Sequence, residues 1–184
     1  MILPIYLYGS EVLRQKAAPA DLADKEGITR LVADMEETLA KAEGCGLAAP
    51  QVGESVRVLI VDGTGMADVY PYLADFKRVM INPVILEESE RKCVYSEGCL
   101  SIPGVYCDVT RPQSITVEYF NGDFEKVAET FDKFACRMVQ HEMSHLDGDL
   151  FVDHVAPIRR KIIAKKLLNI AKGKVFARYT TKIK

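Results

Sequence analysis

The sequence predicts an α+β fold. Three observations carry that reading: strand-like segments cluster ahead of a central helix, helices do not alternate with them, and one strand pair reads as a hairpin. At 184 residues, with 48% hydrophobic and 27% charged residues, the chain predicts one domain spanning 1–184 with enough length for a core.

From Ile28 to Ala42 the apolar residues Ile28, Leu31, Val32, Met35, Leu39 and Ala42 recur at three and four, one face of a helix that Gly44 and Gly46 can end. Val56–Val61 is a β-branched run and predicts a strand. A polar, Gly-containing stretch from Asp62 to Ala74 leads to an apolar segment, Val79–Leu86, broken by Asn82-Pro83. Ser114–Phe120 alternates through Ile115, Val117 and Tyr119, and Asn121-Gly122 suits a type I′ turn into Asp123–Ala128. From Phe131 to Leu146 helical spacing returns through Ala135, Met138 and Val139, with Gly148 as terminator. Pro157 opens a third helix carrying Ile158, Ile162, Ile163, Leu167 and Ile170, with Gly173 beyond it.

No apolar run approaches the ~18–20 residues that cross a bilayer. Met1-Ile2-Leu3-Pro4 lacks the basic region and cleavage site of a signal peptide. Membrane, secreted, collagen-like and disordered classes are disfavoured, and a soluble cytoplasmic protein is expected. The cysteines Cys45, Cys93, Cys99, Cys107 and Cys136 are odd in number and too few for a disulfide scaffold, so reduced thiols are expected. Charge is uneven: residues 154–184 hold ten Lys/Arg and no Asp or Glu, leaving 14 basic against 26 acidic residues in 1–153. A basic end on an acidic body suggests a polyanionic partner such as RNA; a solvated helix face is the plainer reading.

The sharpest signal is His141-Glu142-Met143-Ser144-His145, an H-E-x-x-H on the predicted central helix. Four residues at ~100° each return to within ~40°, so both imidazoles leave one face a turn apart. That suits one divalent cation; the plainer reading is two partly buried histidines beside a surface Glu. Glu142, a further ~100° round, is poorly placed as a ligand but near enough to take a proton from bound water. A third ligand is needed. The residue six after His145 is Phe151, not His, and no Glu follows Glu142, so both common peptidase plans lack it. Asp153 and His154 lie on the exit from the helix. Cys99, in Glu97-Gly98-Cys99-Leu100-Ser101 ahead of an expected turn at Ser101–Gly104, is the best candidate, and Cys45 the second. Cys93, Cys107 and Cys136 read as packing residues. A third motif, Gly44-Cys45-Gly46-Leu47-Ala48-Ala49-Pro50-Gln51-Val52-Gly53, has small residues that admit a substrate backbone and an amide donor in Gln51; a flexible loop would look similar.

Taken together, GCGLAAPQVG, EGCLS and QHEMSHLDG, in that order over residues 44–148, resemble the three motifs of peptide deformylases. The resemblance covers roughly residues 1–170. It implies antiparallel strands around a central metal-binding helix, with N- and C-terminal helices. It implies a divalent metal held by Cys99, His141 and His145, natively Fe(II), with Zn(II), Ni(II) or Co(II) able to substitute, and water in the fourth position. Glu142 would be general base and then acid. Gln51 and the Leu100 N–H would polarise the formyl oxygen. Gly44, Cys45, Gly46, Gly98, Arg137 and Met138 would bind substrate, the formyl-methionyl end of a new protein. Formate and a free amino terminus would be the products. Ser144 stands where the family usually has Asp, Cys45 where it usually has an aliphatic residue, and Gly63–Phe76 is longer than in compact members. Competing readings are a metallo-endopeptidase and a structural metal module closed by His154. The basic segment from Pro157 is expected to help dock the enzyme on ribosomal RNA.

Overall fold

The computed structural model describes residues 1–184. Three helices, α1 (Lys25–Ala42), α2 (Lys133–Leu146) and α3 (Pro157–Ala171), accompany nine strands. Strands β2 (Gly46–Ala48), β3 (Val58–Asp62), β4 (Lys77–Glu88), β7 (Ser114–Phe120) and β8 (Lys126–Asp132) form one antiparallel sheet in the order β2-β3-β4-β7-β8. A long hairpin joins β5 (Lys92–Cys99) to β6 (Ile102–Pro112). Short parallel strands β1 (Ile5–Tyr6) and β9 (Thr181–Lys182) bring the two chain ends together. The α+β reading holds. No helix is long and apolar enough to cross a membrane.

Helix α2 lies between the sheet and the β5–β6 hairpin, and 11 of its 14 residues are buried. Its apolar stripe, Ala135, Met138, Val139, Met143 and Leu146, packs with Leu59, Val61, Met80, Val117 and Phe131 of the sheet. Its polar stripe, Arg137, His141, Ser144 and His145, meets the hairpin. Those two stripes at helical spacing bury one helix on both faces. Helix α1 lays Ile28, Met35 and Leu39 against Leu47, Val58 and Ile60 on the opposite side of β2 and β3.

Several boundaries differ from expectation for local reasons. Helix α1 starts at Lys25 because the Asp24 side chain accepts from the Gly27 N–H at 3.0 Å. It closes through Glu43, at φ 55°, not through a glycine. Strand β4 runs through Asn82-Pro83: register shifts between Ile81 and Val84, Asn82 takes φ 51°, and its side chain clasps the Ala20 N–H and C=O at 2.7 and 3.0 Å. The β7–β8 loop has five residues and not two. Asn121 Oδ1 accepts from the N–H groups of Asp123 and Glu125, and Phe124, at φ 63°, makes the left-handed turn assigned to the Asn-Gly pair. Phe131 belongs to β8, so α2 begins at Lys133.

The stretch after β3 forms two 3-10 turns, Thr64–Met66 and Pro71–Leu73, and buries Leu73. The glycine-rich segment is not a flexible loop: β2 runs into a 3-10 turn, Ala49–Val52. The reversal after Cys99 is the pair Leu100-Ser101, while Ile102 to Gly104 already belong to β6. Helix α3 buries Ile163, Leu167 and Ile170 but leaves Ile158 and Ile162, expected inside, 72% and 64% exposed. The basic segment also divides. Helix α3 shows its charges to solvent, whereas the residues beyond it turn back along the body so that β9 pairs with β1.

Candidate metal centre and active site

His141 and His145 leave the polar stripe of α2 one turn apart, with ring centroids 5.3 Å from each other. Cys99 ends β5 opposite them, and its Sγ lies 3.3 Å from His145 Nε2. One donor atom from each of Cys99, His141 and His145 falls within a 4.8 Å span. Cys45 is outside this group. Neither exit-segment candidate joins it: Asp153 pairs with Arg14 and Arg160, and His154 with Asp149. A structural site closed by His154 therefore has no support in the geometry.

Glu97 organises the histidine from behind. Its Oε1 accepts from His141 Nδ1 at 2.7 Å and from Arg111 at 3.0 Å, and its Oε2 from Arg111 at 2.8 Å and Arg137 at 2.7 Å. A carboxylate only accepts, so Nδ1 carries a proton and Nε2 is the nitrogen that faces the cluster. Burial pushes the Glu97 carboxyl up, but the bonds from His141 and Arg111 outweigh it and hold it well below the usual carboxylate range. Burial also works against charge on both imidazoles. It prevails at His145, whose pKa falls, while bonds to Cys99 and Glu97 overcome it at His141. Ser144 donates to the Gln140 carbonyl and accepts from Arg111 at 3.0 Å, so it braces this network from the helix side.

Beside the cluster opens a cavity of about 920 Å³. Gly44, Cys45, Gly46 and Gln51 line it from the β2 side, Gly98, Cys99 and Leu100 from the hairpin, and Met138, His141 and Glu142 from α2. Arg137 does not reach it, which corrects its expected place among the substrate-binding residues. Its guanidinium is buried behind the helix, donating to Glu97 and to the carbonyls of Val109 and Cys93. Val139, next to Met138 in the chain, is buried in the core and not on the cavity wall.

Gly46 is where a side chain is forbidden by proximity. A Cβ there would overlap the Glu142 carboxylate, which lies against the β2 backbone. Burial pushes that carboxyl up to about 7, and its Oε2 has no partner in the chain. The Gln51 amide is oriented by β2: its oxygen accepts from the Ala48 N–H at 2.9 Å, so its NH₂ group faces Ser101 Oγ at 3.1 Å and Cys99 Sγ at 3.5 Å. Gly98 makes room for the Tyr106 ring.

The sequence reading gave no place in the site to Glu97 or to the C-terminal residues Phe176 to Tyr179, which also line the cavity, nor to Ser101, whose hydroxyl accepts from the Gln51 amide. A signal for Glu97 existed, since a metal-binding histidine needs an acceptor on its other nitrogen. Nothing local in the sequence points from the tail to the cavity.

Comparison with known proteins agrees with this arrangement. Residues 2–161 match the family model described as polypeptide deformylase. A peptide deformylase of Christiangramia forsetii is 42% identical over 186 residues, covering 97% of this chain and 94% of its own. The chain belongs to the polypeptide deformylase family. Another relative, from Chlorobium phaeobacteroides, is 44% identical over 97% of this chain and 94% of its own. Among solved structures, a peptide deformylase from Legionella pneumophila superimposes with a TM-score of 0.83 at 32% identity, covering 95% of this chain and 98% of that one. A plant peptide deformylase gives 0.84 at 32% identity, covering 93% and 90%. Deformylases are metal-dependent hydrolases that remove the N-terminal formyl group of nascent peptides, and this chain is an enzyme of that kind.

Proposed function

We propose that the cavity hydrolyses formyl-methionyl peptides to formate and a free amino terminus, with Cys99, His141 and His145 holding the metal and Glu142 moving the proton. The observation that carries this reading is the buried Glu142 carboxylate, free at Oε2 and set in the cavity beside three converging soft and borderline donors. The donor set fits a divalent transition ion: one sulfur, two imidazoles, and a carboxylate behind one imidazole to hold its tautomer. Such an ion, when bound, lowers the pKa of water towards ~7 and polarises a carbonyl oxygen. Fe(II) is the native ion in this proposal, and Zn(II), Ni(II) or Co(II) substitutes.

Glu142 takes the proton of the attacking water and hands it to the departing amine. A carboxyl raised by burial to about 7 can do both near neutrality. The Gln51 NH₂ group and the Leu100 N–H donate to the formyl oxygen as charge builds on it. Preorganised donors of this sort contribute about 3–4 kcal/mol each in related acyl transfers. Cys45, Met66, Phe134 and Met138 offer an apolar wall for the methionine side chain, while Gly44, Gly46 and Gly98 line the cavity beside them, Gly46 and Gly98 leaving room for Glu142 and Tyr106.

The pairing of β9 with β1 supports the proposal that residues 1–184 act as one unit. Exposed Lys161, Lys165 and Lys166 beside Ile158 and Ile162 support α3 as the proposed face for ribosomal RNA, which would hold the enzyme in the cytoplasm near emerging formylated chains. Unchanged cosedimentation with ribosomes after charge reversal at those lysines would remove that contact from the proposal. Anaerobic release of formate from formyl-Met-Ala-Ser, compared with Glu142→Ala, tests the core reading. The expected result is activity in the wild type and a metal-replete but inactive variant. A metal-replete wild type that releases no formate overturns it.

A further inference from the structure

The Leu100-Ser101 turn must hold a hydrogen-bond donor in a fixed direction if the reaction proposed above is right. Two residues between the paired Cys99 and Ile102 leave few backbone bonds to do so. Neighbouring segments do it instead. The Ser101 carbonyl accepts from the Tyr8 N–H at 2.8 Å, the Ser101 N–H lies 3.4 Å from Cys99 Sγ, and Ser101 Oγ accepts from the Gln51 amide at 3.1 Å. The Leu100 carbonyl accepts from the Tyr179 hydroxyl at 2.7 Å. That leaves the Leu100 N–H as the polar group of the turn with no partner in the chain.

We infer that Tyr179 is a positioning residue for deformylation: its hydroxyl anchors the Leu100 carbonyl and so keeps the Leu100 N–H presented to the cavity. The inference rests on the donor role given to Leu100 under the proposed function. The carbonyl and N–H of Leu100 flank one Cα. With Cys99 held in the ladder, anchoring the carbonyl limits rotation of the whole residue. A donor that need not reorient as charge develops is the kind that lowers a barrier. Tyr179 is itself fixed from both sides. Its ring packs with the cluster around Leu47 and Leu100, and the next residue starts the join to the N-terminus, where the Ile5 N–H donates to the Thr180 carbonyl at 2.9 Å. Phe176, Ala177 and Arg178 continue the same segment along the cavity wall. Tyr179 lies outside residues 2–161, the span of the family match.

The test is steady-state formate release from formyl-Met-Ala-Ser by wild type and Tyr179→Phe, each metal-replete, with a thermal unfolding scan of both. Phe keeps the ring and removes only the hydroxyl. The expected result is a kcat about three- to ten-fold lower, short of the ~10²–10³ seen when such a donor is lost outright. KM and the unfolding midpoint stay close to those of the wild type. A merely packing role predicts no change in kcat, and that result with an active wild type overturns this inference alone. An equal rise in KM with kcat unchanged also overturns it, because the hydroxyl would then serve ground-state binding. A wild type that releases no formate overturns the deformylase reading and this inference with it.

Discussion

Glu97 Oε1 lies 2.7 Å from His141 Nδ1 while the other oxygen of the same carboxylate holds Arg137, also at 2.7 Å. One buried acid thus orients the imidazole and pairs with two guanidinium groups, since Arg111 binds both oxygens. Glu97→Gln keeps the shape and removes the charge. Two buried guanidinium groups then share no anion, which costs about 3–5 kcal/mol. Metal affinity falls about 10–100-fold through the loosened imidazole. Urea unfolding of the metal-free proteins and chelator competition measure the two losses separately. Wild-type affinity in the Gln variant would show that Glu97 serves the fold alone.

Gly46 and Glu142 yield a second prediction. The carboxylate occupies the space a Cβ at residue 46 would take, so Gly46→Ala must push one of them aside. The sheet holds β2, with Gly46 opposite Val61, so the side chain moves. Formate release is expected to fall by about 10²–10⁴, the range of a lost general acid–base group. Overpacking costs about 1–3 kcal/mol of stability. Metal stoichiometry should be unchanged, because neither residue is a proposed ligand. Near-wild-type turnover would mean that Glu142 is positioned by something other than this contact.

How far the chain could be read in advance follows from how local each interaction is. His141 and His145 share a helix face by spacing alone, and Gly148 and Pro157 act within a residue or two of the helix ends they mark. The motif pattern paired Cys99 with the histidines although 42 residues separate Cys99 from His141. Arg137 went astray because an arginine beside a metal motif looks like a substrate anchor. What determines its direction is Glu97, on a strand far back in the chain. Asn82-Pro83 looked like a break because only the partner at Ala20 makes the bulge in β4 tolerable. Tyr179 gave no sign at all, since its partner is a backbone carbonyl, which leaves no mark on side-chain pattern.

Acid sensitivity should come in part from Asp153. It accepts from Arg14 at 2.6 Å, Arg160 at 3.0 Å and the Leu150 N–H at 2.9 Å. Burial raises its carboxyl, but the Arg14 and Leu150 bonds prevail and bring it to about 2, against ~3.9 for a free aspartate. A folded-state pKa below the unfolded one gives stability that is complete above ~4 and lost as pH falls towards ~2. The pairs are partly solvated, so the contribution is about 1 kcal/mol or less. Asp153→Asn should lower stability at pH 7 by that amount and flatten the decline between pH 4 and 2. Urea midpoints across that window check it, and an unchanged slope would place the acid sensitivity elsewhere.

The second thiol on the cavity wall calls for the opposite outcome. Burial first, and the negative charge of Glu142 second, push the Cys45 thiol up to about 11. At pH 7.5 its thiolate fraction is therefore on the order of 10⁻³ or less, and the thiolate is the form that ligates and reacts. Cys45→Ala should keep full metal stoichiometry while Cys99→Ala loses it. Alkylation of Cys45 by iodoacetamide should be slow at pH 7.5 and rise about tenfold per pH unit until ~11. Because an unfolded cysteine ionises near ~8.5, the raised folded value also means stability falls as pH climbs from ~8.5 towards ~11. Rapid alkylation at neutral pH, or metal lost from Cys45→Ala, would make Cys45 a competing ligand and would reopen the choice of sulfur at the centre.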